Sequence, residues 1–131
     1  MILAVCVDDR MGLTLNGRRL SKDSALRQRL LELSGGRLRM SDYSARQFDS
    51  SVYSGADYLS GAQKGDWCFA ENTEYAAFAD ALERIVLFRW NRHYPSDTQF
   101  RFPGKWALVS SEDFPGTSHE KITMEVYEIC E

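Results

Sequence analysis

Residues 67–100, WCFAENTEYAAFADALERIVLFRWNRHYPSDTQF, constrain the fold most, because they read as strand, helix and strand in close succession. Residues 67–70 are a short apolar run, too brief for a helix and bounded by Gly65-Asp66 and Asn72-Thr73. Asn72 or Thr73 can accept the open N–H groups of a first turn, and Glu74 suits the positive end of a helix dipole. Tyr75, Phe78, Ala79 and Leu82 then recur at the spacing of one helical stripe. Residues 85–90 are apolar on both faces, as a central strand covered on both sides requires. The unit predicts a right-handed crossover between parallel neighbours.

The other segments extend this unit in both directions. Residues 2–7 predict a buried strand ended by Asp8-Asp9 and Gly12, and residues 13–20 a segment turned by Asn16-Gly17. Ser21 or Asp23 caps a helix with Leu26, Leu30 and Leu33 on one face, ended by Gly35-Gly36. Residues 37–40 alternate as a short strand, and Ser41-Asp42 starts one or two helical turns over 43–48. Residues 49–66, polar and without a period, predict a long loop with a turn near Tyr58-Leu59. Strands follow at 106–110 and 122–129, with a loop built on Pro115-Gly116 between them. Coming last and consecutively, these two predict antiparallel closing strands. The order implies one α/β domain over residues 1–131, with a mixed, mainly parallel sheet flanked by helices.

With 16 basic against 19 acidic residues, charge argues against a dedicated nucleic-acid coat or a membrane-surface binder. No apolar run approaches a membrane span, and Asp8-Asp9-Arg10 interrupts the first apolar segment too early for a signal peptide, so the expected compartment is the cytoplasm. Cys6, Cys68 and Cys130 are odd in number and lie in apolar runs, which predicts buried free thiols. His93 and His119 alone cannot supply a zinc-ligand spacing.

Several residues invite a binding role. Arg18 and Arg19 follow a turn and could hold an anion or a partner's carboxylates, or simply be solvated. Arg89, Trp90 and Arg92, in Arg-Trp-Asn-Arg-His-Tyr, have the composition of a base-stacking or protein-contact surface. Equally, Trp90 suits the core and the arginines suit ion pairs. Tyr43, Tyr53 and Tyr58 could form a recognition surface or anchor the long loop. Thr117-Ser118-His119-Glu120 holds the residue types of a hydrolase triad, but triad members converge in space and seldom adjoin in sequence.

The opening AVCVDDRMGLTLNGRRLSKD, the leucine-rich helix, Gly-Gly and RLRMSDYS together resemble the N-terminal part of dihydrofolate reductase. Asp97-Thr98-Gln99-Phe100 resembles the motif that ends that family's strand–helix–strand unit, and Trp106 to Phe114 followed by SHEKITMEVYEI resemble its closing pair of strands. The resemblance implies a substrate-binding carboxylate at Asp23, read from the residues alone as a helix cap, and a ligand hydrogen bond from Thr98. It also exposes departures. The glycine pair that lets pyrophosphate approach falls on Ala70-Glu71, where a side chain would block the approach and a carboxylate repel the phosphate, and the arginine for the 2′-phosphate of NADPH falls on Asp42, another reversal of sign. The shielding tryptophan falls near Arg19-Leu20, and residues 49–66 are too few for the adenosine-side strands. The expectation is therefore a dihydrofolate reductase-like fold without its cofactor-side edge strands. It would lack cofactor or metal and act as a binding or regulatory protein through a protein partner or a small anionic ligand. The alternatives are a reductase of an unusual pterin or nucleotide-like substrate, and a nucleic-acid or defence-system modulator. A vaguer resemblance is to short proteins of Gram-positive bacteria labelled ribonuclease Z, whose two-zinc chemistry needs histidines this chain lacks.

Overall fold

The computed structural model describes residues 1–49 and 52–130. Ten strands and three short helices follow one another as β1 (Ile2–Val7), β2 (Gly12–Leu15), β3 (Arg18–Arg19), α1 (Ser24–Ser34), β4 (Leu38–Met40), α2 (Asp42–Ala45), β5 (Tyr53–Ser54), β6 (Trp67–Phe69), a 3-10 helix (Glu74–Ala81), β7 (Arg84–Arg89), β8 (Thr98–Gln99), β9 (Trp106–Phe114) and β10 (Ile122–Ile129). Seven strands form one mixed sheet in the order β5-β4-β6-β1-β7-β10-β9, and β3-β2-β8 form a second, small sheet. The strands from β5 to β7 run parallel, whereas β10 is antiparallel to both β7 and β9. The α/β class and the antiparallel closing pair match the sequence pattern.

The pleat of β1 divides the core. Leu3, Val5 and Val7 pack on one side with Tyr75, Leu82 and Phe100, while Ala4 faces the other with Leu26, Leu30 and Phe88. Thus α1 covers one face of the sheet and the 3-10 helix covers the opposite one. Leu26 and Leu30, 2 % and 0 % exposed, each contribute on the order of 2 kcal/mol of burial. Leu33 departs from its expected place: it is 38 % exposed, and Ser34, one turn beyond Leu30, completes the buried row instead.

Several sequence expectations need correction. The stripe at 75–82 winds as a 3-10 helix, broken at Phe78 (φ −117°, ψ 25°), and only Tyr75 and Leu82 of its four apolar residues are fully buried. Its strands β6 and β7 are not neighbours, because β1 lies between them and pairs in parallel with each. The turn expected at Asn16-Gly17 is present: both residues have positive φ (52° and 74°) and close a hairpin within residues 13–20, the tight geometry that follows strand twist. Within 49–66 a two-residue edge strand, β5, pairs with β4, and Tyr58 and Leu59 are buried; positions 50 and 51 lie outside the described residues. Strand β9 runs to Phe114, four residues past its expected end, because Ser111–Asp113 pair with β10 although they are polar. Cys68 is buried and Cys6 half-buried, but Cys130 is exposed. Among the described residues no helix is long and apolar enough to cross a membrane.

Candidate functional site

Adjacent strands β1 and β6 point the same way, and the helices that follow them cover opposite faces. Open α/β sheets bind ligands in the crevice such a divergence leaves at the carboxyl ends of the strands. Here that crevice is bordered by Cys6, Leu13, Ser21, Ala70, Glu71 and Trp90, and it is almost filled: about 10 Å³ remains, room for no more than one water.

The β2–β3 hairpin does the filling. Arg19 lies over the crevice, its Nε donating to Glu71 Oε2 at 2.9 Å and its Nη2 to Oε1 at 3.1 Å. The same guanidinium stacks 4.3 Å from the centre of the Tyr43 ring and donates to the Tyr43 carbonyl at 3.3 Å. Gln47 Nε2 gives Glu71 a further donor at 3.1 Å. Burial lowers the Arg19 pKa, but the Glu71 carboxylate more than offsets this and holds it above its ordinary value. This corrects the sequence expectation that Glu71 would repel a phosphate, since Arg19 neutralises it. What opposes a phosphate here is filled volume, and the Ala70 N–H is already committed to the Ala4 carbonyl at 3.0 Å. Asp42, in the first turn of α2, is exposed.

Beneath the hairpin lies a polar hub. Asp23, 1 % exposed, caps α1 by accepting from Ala25 and Leu26 N–H at 2.8 and 3.3 Å. It also accepts backbone N–H groups of Thr117, Ser118 and His119 at 3.0, 2.7 and 3.2 Å, and lies 3.0 Å from His119 Nδ1. Burial raises its pKa, yet these bonds, led by Thr117 and then His119, more than reverse that and hold it well below the usual carboxylate range. A charged carboxylate only accepts, so His119 Nδ1 carries the proton and Nε2 faces Ser21 Oγ at 3.1 Å and Tyr94 Oη at 3.0 Å. The His119 ring, 3 % exposed, stacks on Trp90 with centroids 4.4 Å apart. Hydroxyl, imidazole and carboxylate thus align as in a charge-relay triad. The crevice space beside Ser21 cannot admit a substrate carbonyl, so in this conformation the hub holds structure.

In the sequence His119 adjoins Ser118 and Glu120, whereas its side-chain partners in the fold, Ser21 and Tyr94, lie far from it along the chain. Ser118 instead gives its backbone N–H to Asp23. No spacing rule could have joined positions 21, 94 and 119. The cap role of Asp23 was legible in the sequence. Its second role, tying down residues 117–119, was not.

The remaining predicted site residues are scattered. Arg18 is exposed, has no ion pair among the described residues, and lines an open groove of about 520 Å³ with Leu15, Asn16, Tyr94 and Pro95. Thr98 donates to Asp97 Oδ1 at 3.2 Å and borders a different groove, of about 500 Å³, with Tyr75 and Arg101; Asp23 lines neither. Tyr53, 45 % exposed on the sheet edge, donates to Asp57 at 2.6 Å and carries Arg39 4.0 Å over its ring. Arg89 pairs with Glu125 at 2.6 Å and Trp90 is 3 % exposed, so neither is offered to a nucleic-acid base; only Arg92 of that group is exposed. No group of His, Cys, Asp and Glu suited to a metal occurs among the described residues. Compared with known proteins, the chain matches no family model and no curated protein.

Proposed function

We propose that this chain is a binding or regulatory protein on a shortened dihydrofolate reductase-like scaffold that has given up nicotinamide dinucleotide chemistry. Support for the scaffold comes from the order of elements: a first strand, a glycine-containing hairpin, a carboxylate capping the first helix, a strand–helix–strand unit leading to Asp97-Thr98, and an antiparallel closing pair. The observation that carries the loss of chemistry is occupancy. Each oxygen of Asp23 already accepts three donors, and Arg19 with Glu71 fills the crevice where pyrophosphate would lie. A carboxylate with no free lone pair serves no incoming ring.

The partner, a protein carboxylate or a small anion, engages Arg18 in the groove beside Tyr94 and Pro95. Arg18 is suited to this because no acid competes for its fork among the described residues. A fluorescence titration with NADPH at moderate salt tests the reading: no saturable binding is expected. Tight NADPH binding overturns it, as does NADPH oxidation that needs an added substrate and disappears in Asp23→Ala. The nucleic-acid reading is left with Arg92 alone, and no observation favours it.

A further inference from the structure

The guanidinium of Arg19 sits in a receptor whose polar partners all come from outside its own hairpin. Glu71, after β6, supplies a carboxylate that meets it through two bonds, with its side chain only 9 % exposed. Tyr43, on α2, supplies a ring face at 4.3 Å and a carbonyl acceptor at 3.3 Å. A planar cation between a carboxylate and an aromatic face has its charge, its donors and its π surface all matched. The receptor opens at the switch point between β1 and β6, where open α/β sheets take their ligands. Its plug is slight: β3 is two residues long, belongs to the small separate sheet, and is joined to β2 by the Asn16-Gly17 turn.

We propose that this crevice is a ligand site in which Arg19 stands in for the ligand, and that its occupant presents a planar N–C–N cation, a guanidinium or amidinium, to Glu71 and Tyr43. When Arg19 and β3 lift away, the apolar part of the occupant lies along Ala70 and Trp90, which border the space beneath Arg19. The site shares Arg19 with the Arg18 groove, but its recognition groups, Glu71 and Tyr43, are not part of that groove, so it survives if that reading fails. Two sources could deliver the same cation, a free small molecule or an arginine side chain of a partner.

The test uses the full chain and two probes, benzamidine and N-acetylargininamide, titrated by calorimetry against wild type, Arg19→Met, and Arg19→Met with Glu71→Gln. Because the hairpin of the wild type must lift first, benzamidine should bind Arg19→Met at least about tenfold more tightly than wild type. Adding Glu71→Gln should weaken that binding by about tenfold or more. In a Cys130→Ser background, Cys6 should be alkylated faster in Arg19→Met, and benzamidine should protect it. Binding by both probes identifies an arginine side chain as an acceptable source; binding by benzamidine alone identifies a small molecule. A folded Arg19→Met that binds neither probe more tightly than wild type overturns the proposal, as does binding indifferent to Glu71→Gln. Should Arg19→Met not fold, Arg19→Lys, which keeps the charge and loses the fork, takes its place with the same readouts.

Discussion

Asp23 Oδ2 and His119 Nδ1 lie 3.0 Å apart, both side chains closed to water, and join the start of α1 to the loop between the last two strands. The contact spans most of the chain, so it closes the fold as well as capping a helix. Removing Asp23 would leave the buried N–H of His119 and the half-buried N–H groups of Thr117 and Ser118 without their acceptor. Asp23→Ala is therefore expected to cost about 3–5 kcal/mol, more than a helix cap alone, in chemical denaturation. A loss near 1 kcal/mol would reduce Asp23 to an ordinary cap.

Acid should unfold the protein through the same residue. In the unfolded chain Asp23 titrates near its ordinary value, about 4, while in the native state it is held lower. Its stabilisation is thus complete above about pH 4 and is lost as pH falls further, because the unfolded chain takes up the proton first. Asp8 adds to the same limb. Burial raises its pKa, but N–H groups of Tyr94, Gly12 and Arg10 outweigh that and hold it low. Stability measured from pH 6 to pH 2 should fall less steeply in Asp23→Asn than in wild type. Parallel curves would show that the group is not linked to folding.

Gly116 is fixed by crowding. A Cβ there would stand 2.7 Å from Asp23 Oδ2 and 2.6 Å from the His119 carbonyl oxygen. Gly116→Ala should cost about 1–3 kcal/mol through displacement of the hub. Gly17→Ala meets no atom within 4 Å but sits at φ +74°, so its cost, about 1 kcal/mol, comes from backbone strain. A thermal-shift comparison that ranks Gly17→Ala as the worse variant would contradict the packing around Asp23.

Arg89 and Arg92 separate sharply although the sequence presents them alike. Glu125 Oε1 accepts from Arg89 Nε at 2.6 Å and from Tyr127 Oη at 2.9 Å, whereas Arg92 is exposed. Arg89→Ala should destabilise by about 1–3 kcal/mol, and Arg92→Ala should stay within about 0.5 kcal/mol of wild type. A double-mutant cycle between Arg89 and Glu125 measures the coupling directly, and a value near zero would make the pair incidental.

The three thiols should react in a fixed order. Cys130 is exposed, burial pushes Cys68 up to about 11, and burial also raises Cys6, reinforced by the nearby charges of Glu71 and Asp23. In an Ellman assay near pH 8 the native protein should show one fast thiol and two slow ones, all three reacting at once in denaturant. Rapid reaction at Cys6 in the wild type would mean that the hairpin does not seal the crevice.

Periodicity and turn chemistry are local, and the sequence determined by itself what depends on them. The strand at residues 2–7, the helix capped by Asp23, the hairpin turn at Asn16-Gly17 and the antiparallel final strands are each written in a few consecutive residues. The polar end of β9 escaped that reading, since Ser111–Asp113 are held by ladder bonds to β10 and not by apolar pattern. Only the tertiary structure decided that Arg19 meets Glu71, and that Ser21, Tyr94 and His119 share one polar hub with Asp23. Charges 52 positions apart carry no mark of their pairing in the sequence, because whether two charges attract or lie far apart is fixed by the order in which strands assemble.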